Sequence, residues 1–591
     1  MSLDSLNAAP RDAAVQWLQG LYERSPWVAE AVVDERPFAS AAQLKVLMAR
    51  AVREAPREVQ LALLRAHPEL AGRLAEEGGL TAESAHEQRR AGLNACAPEE
   101  LQRLRELNAA YQARFGWPFI VAVRGPRGTG LTRQEIIATF ERRLTAHPEA
   151  EFGECLRQVH RIAELRLNDK LGIEPHLGHQ VWDCAELLAR HTDPGFEPLG
   201  QLTVTYLTPA HLDCQAQLQR WMSDCGFDEV GVDAVGNVVG VYHGMTREAP
   251  RLLTGSHFDT VRNAGRYDGR LGIFVPMAAV RELHLRGRRL PFAIELIAFA
   301  EEEGQRFPAT FLASSAVTGR FDRSWLQQRD AGGHTLAEAM AEAGLDADGI
   351  DAVRRDPSRY LGFVEVHIEQ GPVLTELDLP LGVVSAINGS VRYRGEVTGV
   401  ASHAGTTPMD RRRDAALAVA ELALHVEQRA SAQPDVVGTI GMLDVPDGSI
   451  NVVPGRCRFT LDLRAGTDAA RDALAADVLG ALHAIVERRG LRVQIEETLR
   501  AAAAPSDPAW QLRWESAVLA TGVPVFRLPS GAGHDAMKLH EIMPQAMLFV
   551  RGGNGGISHN PLETVTSDDA QLAVVAFQHL IDQLAQAMPT P

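Results

Sequence analysis

The fold of the central part of this chain is decided by TGSHFDTVRNAGRYDGRLGI at residues 254–273 and PFAIELIAFAEEEGQRF at residues 291–307. The apolar runs that precede His257 and Glu301 are typical of buried parallel strands. Polar residues that follow such strands lie at the carboxyl edge of an open α/β sheet, where these folds build their sites. The two stretches therefore predict an α/β domain with a site assembled from several strand ends.

The polar residues of these stretches indicate a site for divalent metal ions. His257 offers a neutral imidazole, and Asp268 offers a carboxylate from a glycine-rich loop that lets the backbone approach a buried ion. The three acids at 301–303 would be costly at an apolar strand end without cations. A lone HxD pair is more often a surface or core pair, and a lone EEE run is usually solvated. Their combination after buried strands favours the metal site.

These residues resemble the two-metal amidohydrolases of the aminoacylase/carboxypeptidase-like superfamily. Within it they are similar to the branch of N-carbamoyl-L-amino acid hydrolases, β-ureidopropionase-like enzymes and allantoate amidohydrolase. Two later motifs extend the resemblance, FVEVHIEQGPVL at 363–374 and GGISHNPLE at 555–563. The resemblance implies two ions, one held by His257 and His367 and the other by Glu303 and His559, with Asp268 bridging both. Nitrogen and oxygen ligands without thiolate suit zinc, manganese or cobalt.

The same resemblance implies further roles around the metal ions. Glu302 is the expected general base, and Asp259 is expected to hold His257 in its ligating tautomer. Gln370 is expected to contact substrate. In SHAGTTPMDRRRDA at 402–415, His403 is expected to polarise the scissile carbonyl in the partner subunit's site. The remaining expected substrate contacts are Asn451 and Arg464, which would grip a carboxylate, and His534 in the glycine-rich loop LPSGAGHDAMKL at 528–539.

Residues 1–168 show helical spacing of apolar residues, separated by proline and glycine clusters, and predict an all-α domain. The segments AHPEL at 66–70, LTAESAHEQRRAGL at 80–93 and RIAELRL at 161–167 resemble OHCU (2-oxo-4-hydroxy-4-carboxy-5-ureidoimidazoline) decarboxylase, a lyase of urate degradation. The resemblance implies that the reaction needs anion positioning and a proton donor but no cofactor. The implied site residues are His67, Glu87, Gln88, Phe119, Ile120 and an arginine. For that arginine Arg161 is preferred, and Arg166 stays open.

The whole chain is predicted to be a multidomain protein. We expect an all-α decarboxylase-like domain at 1–168, an α/β metallohydrolase domain at 169–381 and 495–591, and an inserted α+β dimerisation lid at 382–494. A length of 591 residues is too great for one core. The lid implies a homodimer.

The net charge of −17 argues against nucleic acid and anionic membranes as partners. The six cysteines include no CxxC pair, which fits a reducing compartment. Without a leader-like segment or a membrane-length apolar run, we expect a cytoplasmic protein.

Three functions compete on the sequence. The first is a bifunctional enzyme that makes (S)-allantoin and hydrolyses allantoate, and the joining of a urate-pathway decarboxylase to an amidohydrolase favours it. In the second, the hydrolase acts instead on N-carbamoyl-L-amino acids or ureidoglycolate. In the third, one of the two parts is an inactive assembly module. Small ureido acids are the expected substrates in the first two.

Overall fold

The computed structural model describes residues 2–38, 41–70, 81, 84, 87, 96–124, 131–173, 176–433 and 436–588. The chain forms two compact units. The first comprises Met1–Val383, Leu512–Phe526 and Glu541–Pro591, and the second comprises Val384–Gln511 and Arg527–His540. Among the described residues, none of the helices combines the length and the apolar character that a membrane span requires. The predicted domain bounds at residues 168, 381 and 494 stay predictions.

The N-terminal part of the first unit is helical in all its regular described segments. Its helices are α1 (Leu3–Ala8), α2 (Arg11–Leu18), α3 (Pro26–Val32), α4 (Ala41–Glu54), α5 (Arg57–Arg65), α6 (Pro98–Phe115), α7 (Arg133–Leu144) and α8 (Pro148–Leu171). Their apolar faces form one hydrophobic core, which draws its fully buried residues from Leu6 to Leu167. Helix α7 begins at a capping box, in which Thr132 and Glu135 satisfy each other's backbone amides. The predicted all-α region is confirmed.

The rest of the first unit is built on a twisted sheet. Its strands are β1 (Glu229–Val232), β2 (Val238–Tyr242), β3 (Arg251–His257), β4 (Ala293–Phe299), β5 (Tyr360–Ile368) and β6 (Leu381–Ile387). With a strand at Gln545–Val550, here called the C-terminal strand, they follow the order β1-β2-β4-β3-β5-C-terminal strand-β6. Two short strands at Ala504–Pro505 and Arg527–Ser530 also pair with β6. The central four strands, from β4 to the C-terminal strand, run parallel. Because parallel strands end at one edge, the polar residues that follow them meet there.

Helices pack on this sheet, and they alternate with its strands along the chain as expected for an α/β fold. They are α9 (His176–Leu188), α10 (Pro209–Asp224), α11 (Leu271–Leu285), α12 (Leu312–Val317), α13 (Leu336–Glu342), α14 (Val373–Glu376) and a C-terminal helix at Ser567–Ala587. Strand β4 and most of β3 are buried on both faces, which explains their continuous apolar sequences. The predicted α/β fold is confirmed.

The second unit has its own antiparallel sheet and core. The sheet consists of β7 (Gly389–Thr398), β9 (Val436–Thr439), β10 (Leu443–Asp444), β12 (Arg456–Ala465) and β13 (Arg492–Ala501). Two short strands, β8 (Ser402–His403) and β11 (Val452–Val453), form a separate pair. Strand β12 lies between β10 and β7, and β13 forms the other edge. Helices at Ala415–Ser431 and Asp468–Arg488 pack their apolar faces on this sheet. The unit therefore has the strand and helix content that the sequence predicts for the segment.

Candidate active sites

The carboxyl edge of the parallel strands gathers all five predicted metal ligands. His257 ends β3, His367 lies near the end of β5, and Glu303 follows β4. Asp268 lies in the loop between β3 and α11, and His559 follows the C-terminal strand. The ligand atoms come within 4.8 Å of one another in two groups that share Asp268. These groups are His257 with Asp268 and His367, and Asp268 with Glu303 and His559.

Asp268 stands at the centre of this cluster. Its Oδ1 atom lies 3.3 Å from His367 Nε2 and 3.7 Å from His257 Nε2. Its Oδ2 atom lies 3.0 Å from His559 Nε2, which is itself 3.6 Å from a carboxylate oxygen of Glu303. One carboxylate that faces both groups of ligands has the arrangement that a bridge between two ions requires.

The imidazoles of His257 and His367 present Nε2 to the cluster because their Nδ1 atoms have partners on the other side. His367 Nδ1 donates to the carbonyl of Ile368 at 2.9 Å. His257 Nδ1 lies 3.1 Å from the Asp259 carbonyl and 3.4 Å from its carboxylate. Such partners select the tautomer that presents the Nε2 lone pair to the cluster. At His367 this atom accepts a hydrogen bond from the Gly269 amide at 3.0 Å. Asp259 therefore lies where its expected role needs it.

Asp259 also links the ends of two strands. Its carboxylate oxygens accept hydrogen bonds from the backbone amides of Glu302 and Glu303, each at 3.1 Å. This fixes the turn after β4, on which the two glutamates have different surroundings. Glu302 groups with His257 and Glu303, whereas only Glu303 also groups with Asp268 and His559. This geometry favours Glu303 as a ligand of one ion and Glu302 as its neighbour.

Proton affinities in the cluster are strongly perturbed by its crowded acids. Burial and the charge of Asp268 raise the pKa of Glu303 to about 7. A hydrogen bond to Asp268 raises the pKa of His559 to about 9, although burial opposes it. Burial acts against ionised Asp268, but its hydrogen bonds with three imidazoles outweigh that effect and hold its pKa well below the usual range. This set of carboxylate oxygens and imidazole nitrogens, of which His559 is exposed, fits two divalent cations of the zinc or manganese type.

Glu563 is a site residue that the sequence reasoning missed. It is fully buried, and its Oε1 accepts hydrogen bonds from the amides of Tyr267 at 2.7 Å and Asp268 at 3.1 Å. Its Oε2 accepts from Ser558, whose hydroxyl lies 3.1 Å from Asp268. The one sequence signal is that an acid follows His559 by four residues. The two backbone amides that this acid binds lie almost 300 residues away in the chain.

Gln370 belongs to the same cluster. Its side-chain amide donates to Asp268 Oδ2 at 2.9 Å, and its backbone has a φ of 59°. That left-handed conformation is uncommon outside glycine, and such strain is often kept at functional sites. Gln370, the predicted substrate contact, therefore lies beside the predicted metal ligands.

The second unit holds four predicted site residues in two places. His403 lies on β8, opposite Val452 of β11, and the Ala404 amide donates to the Asn451 carbonyl at 2.8 Å. Arg464 makes a two-pronged contact with Asp462 and donates to the Gly531 carbonyl at 2.6 Å. That glycine belongs to the loop of His534, which is buried and bonded to Ser530 at 2.8 Å. Thus His403 neighbours Asn451, and Arg464 contacts the loop of His534.

A separate cavity in the helical region contains most of the predicted decarboxylase residues. It is lined by His67, Ser84, Glu87, Phe119, Ile120, Ile162 and Arg166, among others. Arg166 binds both carboxylate oxygens of Glu87, at 2.8 and 2.9 Å. Gln88 lies outside the described residues. The cavity therefore joins His67, Glu87 and Arg166 from three distant segments.

Of the two candidate arginines, Arg166 lines this cavity, and which of them binds substrate stays a prediction. Arg161 lies instead over the ring of Trp182 on α9, with its guanidinium carbon 4.0 Å from the ring centroid. Residues 161 and 166 are five positions apart on α8. At 3.6 residues per turn they point about 140° apart. Only Arg166 lines the cavity of His67.

Glu23 is a second residue that sequence reasoning missed. It is buried, and it accepts hydrogen bonds from Thr81 at 2.7 Å, Ser84 at 2.8 Å and Arg166 at 3.1 Å. Burial acts against its charge, but these partners lower its pKa. Glu23 and Glu87 thus hold Arg166 from two sides. A glutamate in a helical sequence usually faces solvent, so no local pattern marks it.

His67 is neutral in this environment. Burial lowers its pKa to about 4 despite its hydrogen bond to a backbone carbonyl. Its Nδ1 donates to the carbonyl of Leu63 at 3.0 Å. The Nε2 atom of the neutral ring therefore carries a lone pair and can accept a proton.

Two family models match the chain. Residues 7–168 match the family described as OHCU decarboxylase, and residues 253–583 match peptidase family M20/M25/M40.

Relatives and solved structures match about 70% of the chain. The chain is 36% identical over 409 residues to N-carbamoyl-L-amino acid amidohydrolase from Geobacillus stearothermophilus, which covers 69% of this chain and 99% of the relative. It is 36% identical over 467 residues to allantoate deiminase from Arabidopsis thaliana, which covers 73% and 86%. A hydantoinase/carbamoylase family amidase from Burkholderia multivorans has a TM-score of 0.65 and 30% identity, over 70% of this chain and 98% of that chain.

Proposed function

The chain belongs to peptidase family M20/M25/M40 and carries an OHCU decarboxylase domain at its N-terminal side, and from this premise we propose that it is a bifunctional enzyme of urate catabolism. One activity decarboxylates OHCU to (S)-allantoin. The other hydrolyses allantoate to ureidoglycine, ammonia and CO2. The observation that carries the proposal is that one chain holds both residue sets, the cavity of His67 and the two ligand groups around Asp268.

The hydrolase site is proposed to use two divalent ions. They would be held by His257, His367, Glu303, His559 and the bridging Asp268. When bound, such ions lower the pKa of water and polarise a carbonyl oxygen. The nitrogen and oxygen ligands suit both zinc and manganese, and their chemistry does not determine which metal is bound.

Glu302 is proposed to carry the proton in hydrolysis. It is only 8% exposed, and its position on the turn is fixed by the bond from its amide to Asp259. A carboxylate so placed can take a proton from the attacking water and deliver it to the leaving nitrogen. Gln370 would orient substrate through its amide, and Arg464 would receive a substrate carboxylate with Asn451. An arginine suits that role because its fork binds a carboxylate in a bidentate manner.

The second unit is proposed to act as a lid and as the contact between two subunits. Ile450 is fully exposed in this chain, and Met409 and Val452 are also exposed around the segment of His403. Exposed apolar residues around a site residue favour burial against another copy. In such a dimer His403 would reach the partner subunit's site. The homodimer and the cytoplasmic location stay predictions.

The decarboxylase cavity is proposed to work without a cofactor. Arg166 supplies a positive charge that Glu23 and Glu87 hold in place, and neutral His67 would accept a proton from the substrate at Nε2 and return it to the ring carbon. Loss of CO2 leaves an electron pair on the ring carbon, which the ring can delocalise. The protein therefore has to position the anion and transfer a proton.

Allantoate is preferred over other ureido acids because of the attached decarboxylase domain. Sequence identity does not distinguish the candidate substrates, since the chain is 36% identical both to a carbamoyl amino acid hydrolase and to an allantoate deiminase. The test is a panel of allantoate, ureidoglycolate and N-carbamoyl-L-amino acids on the purified protein with Mn²⁺ or Zn²⁺. The highest kcat/KM for allantoate is expected. A higher value for an N-carbamoyl amino acid would replace the proposed substrate, and no turnover of any would favour an assembly role for the hydrolase part.

A further inference from the structure

Helix α8 of the decarboxylase domain contacts the hydrolase domain close to two of the predicted metal ligands. Both domains belong to the first compact unit. Glu154 of α8 lies in the segment that matches OHCU decarboxylase, and Arg266 lies in the segment that matches peptidase family M20/M25/M40. Arg266 Nη2 donates to Glu154 Oε2 at 3.1 Å. This contact therefore joins the two domains at a point two residues before Asp268.

Glu154 is held in place by neighbours on its own helix. Arg157 donates to both of its carboxylate oxygens, at 2.7 and 3.0 Å, and Gln158 donates to Oε1 at 2.9 Å. Burial acts against the ionised carboxylate, but the charges of Arg157 and Arg266 outweigh it and hold the pKa of Glu154 well below its usual range. Glu154 is therefore a fixed anion, and a side chain that binds it is fixed as well.

Arg266 lies in the loop between β3 and α11, which carries the predicted bridging ligand Asp268. Within the hydrolase domain this loop is held by Glu563, which accepts from the amides of Tyr267 and Asp268. Arg266 adds a second attachment one residue before the first of these amides, and this attachment comes from the decarboxylase domain. A bridging carboxylate has to stay within bonding distance of two ions. Attachments that fix its loop therefore favour metal binding.

Helix α8 also packs against the loop that carries His559. Leu562 lies between His559 and Glu563 in the chain, and its side chain packs on Gly153 of α8. A Cβ atom at position 153 would lie 2.4 Å from Leu562 Cδ2, closer than two non-bonded carbon atoms approach each other. Glycine is unfavourable inside a helix, and at this position it allows the close contact. Two consecutive residues of α8 thus contact the two loops that carry Asp268 and His559.

We propose that Glu154 is a positioning residue of the hydrolase, supplied by the decarboxylase domain, and that it acts through Arg266 on the loop of Asp268. This role rests on the two-ion site proposed above and extends that site into the attached domain. The decarboxylase domain would then contribute to metal binding in the hydrolase, in addition to its own reaction.

The test compares Arg266→Gln, Glu154→Gln and the double variant in the full-length protein. The affinity for Zn²⁺ is measured by competition with a chelator, which requires no substrate. Each single variant should bind Zn²⁺ about tenfold more weakly, at the lower end of the range for groups that orient a ligand. The double variant should lose little more affinity than the more affected single variant, because both changes remove the same contact.

The two single variants also separate positioning from simple electrostatics. Arg266→Gln removes a positive charge near the ions, and by charge alone it would strengthen metal binding. Glu154→Gln removes a negative charge, and by charge alone it would weaken metal binding. A positioning role lowers the affinity in both. Opposite effects of the two changes, or an unchanged affinity in both, would overturn the proposal.

Glu149→Gln and Arg57→Gln are the matched controls. These residues form an exposed ion pair at 2.9 Å between the first turn of α8 and the start of α5. Their loss should leave the affinity for Zn²⁺ unchanged. An equal loss of affinity in Glu149→Gln would mean that any weakening of α8 has this effect, and it would overturn the assignment to Glu154. Normal decarboxylation by Arg266→Gln is expected, and it checks that the helical domain is folded.

Hydrogen exchange of the metal-free protein measures the loop directly. The amides of Tyr267 and Asp268 should exchange faster in Arg266→Gln than in the unmodified protein, because the loop has lost one attachment. Unchanged exchange at these amides would overturn the proposal. If the unmodified protein bound no metal, the two-ion site would be wrong, and the exchange at these amides would still decide whether Glu154 and Arg266 fix the loop.

Discussion

His403 Nδ1 accepts a hydrogen bond from the backbone amide of Gly405 at 3.0 Å. An acceptor nitrogen carries no proton, so the proton of the neutral ring lies on Nε2. The ring is exposed at the end of the short strand β8. A neutral imidazole with a fixed N–H suits the stabilisation of a negatively charged oxygen.

His403→Ala is expected to keep its metal and its fold and to lose about 10²–10³ in kcat for hydrolysis, as expected when one such donor is removed. Mixing it with the inactive Glu302→Gln protein under subunit exchange should restore part of the activity. The mixed dimer would contain one site with both residues intact. Confirmed exchange without any recovered activity would show that His403 does not act across a subunit contact.

Glu302 and Glu303 are neighbours, but we expect them to have different functions. Glu303→Gln should lose metal, because an amide is a poor ligand for a dication and Glu303 belongs to the group shared with Asp268 and His559. Glu302→Gln should keep metal and lose turnover, since it removes a proton carrier. Metal analysis of the two dialysed variants checks this. The reverse pattern would exchange the two roles.

Glu563→Gln is expected to lower metal affinity about 10–100-fold, the usual cost of losing a group that orients a ligand. An amide cannot accept at both ends, so either the Tyr267 and Asp268 amides or Ser558 would lose its acceptor. Competition with a chelator measures the affinity. Glu376→Gln, an isosteric change on α14, is the control, and equal affinities in the two variants would remove Glu563 from the site.

The two activities are expected to be separable. His67→Ala should abolish decarboxylation of OHCU and leave hydrolysis near normal, because the helical region has its own core and cavity. A chelator should silence the hydrolase alone. Decarboxylation that stops on chelation, with the protein still folded, would contradict a cofactor-free decarboxylase.

The pH dependence of decarboxylation should reflect a buried neutral histidine. The pKa of His67 is lowered to about 4, against about 6.5 in an unfolded chain. Folding thus favours the neutral ring, and the stability linked to it is complete above pH 6.5 and is lost as the pH falls toward 4. We expect kcat/KM to stay constant from pH 7.5 to about 5.5. A loss of half the activity near pH 6.5 would show that the ring titrates normally.

The sequence by itself determined the fold classes, and together with the family resemblance it predicted the five clustered residues, Asp268 among them. Buried strands are read directly from their apolar runs, and parallel strands bring their following residues to one edge. Asp259 and Glu302 follow from the same positions. Such residues are predictable because their place depends on local pattern and on sheet geometry.

Only the tertiary structure shows that Arg166 lines the cavity of His67, and only it revealed Glu23 and Glu563. Which face of α8 meets the cavity of His67 depends on how distant helices pack, and two arginines on one helix have the same local signals. Glu563 acts on amides 295 and 296 residues away, and Glu23 meets Arg166 over 143 residues. Burial of a polar residue against a distant partner leaves no periodicity in the sequence, so it becomes visible only once the chain has folded.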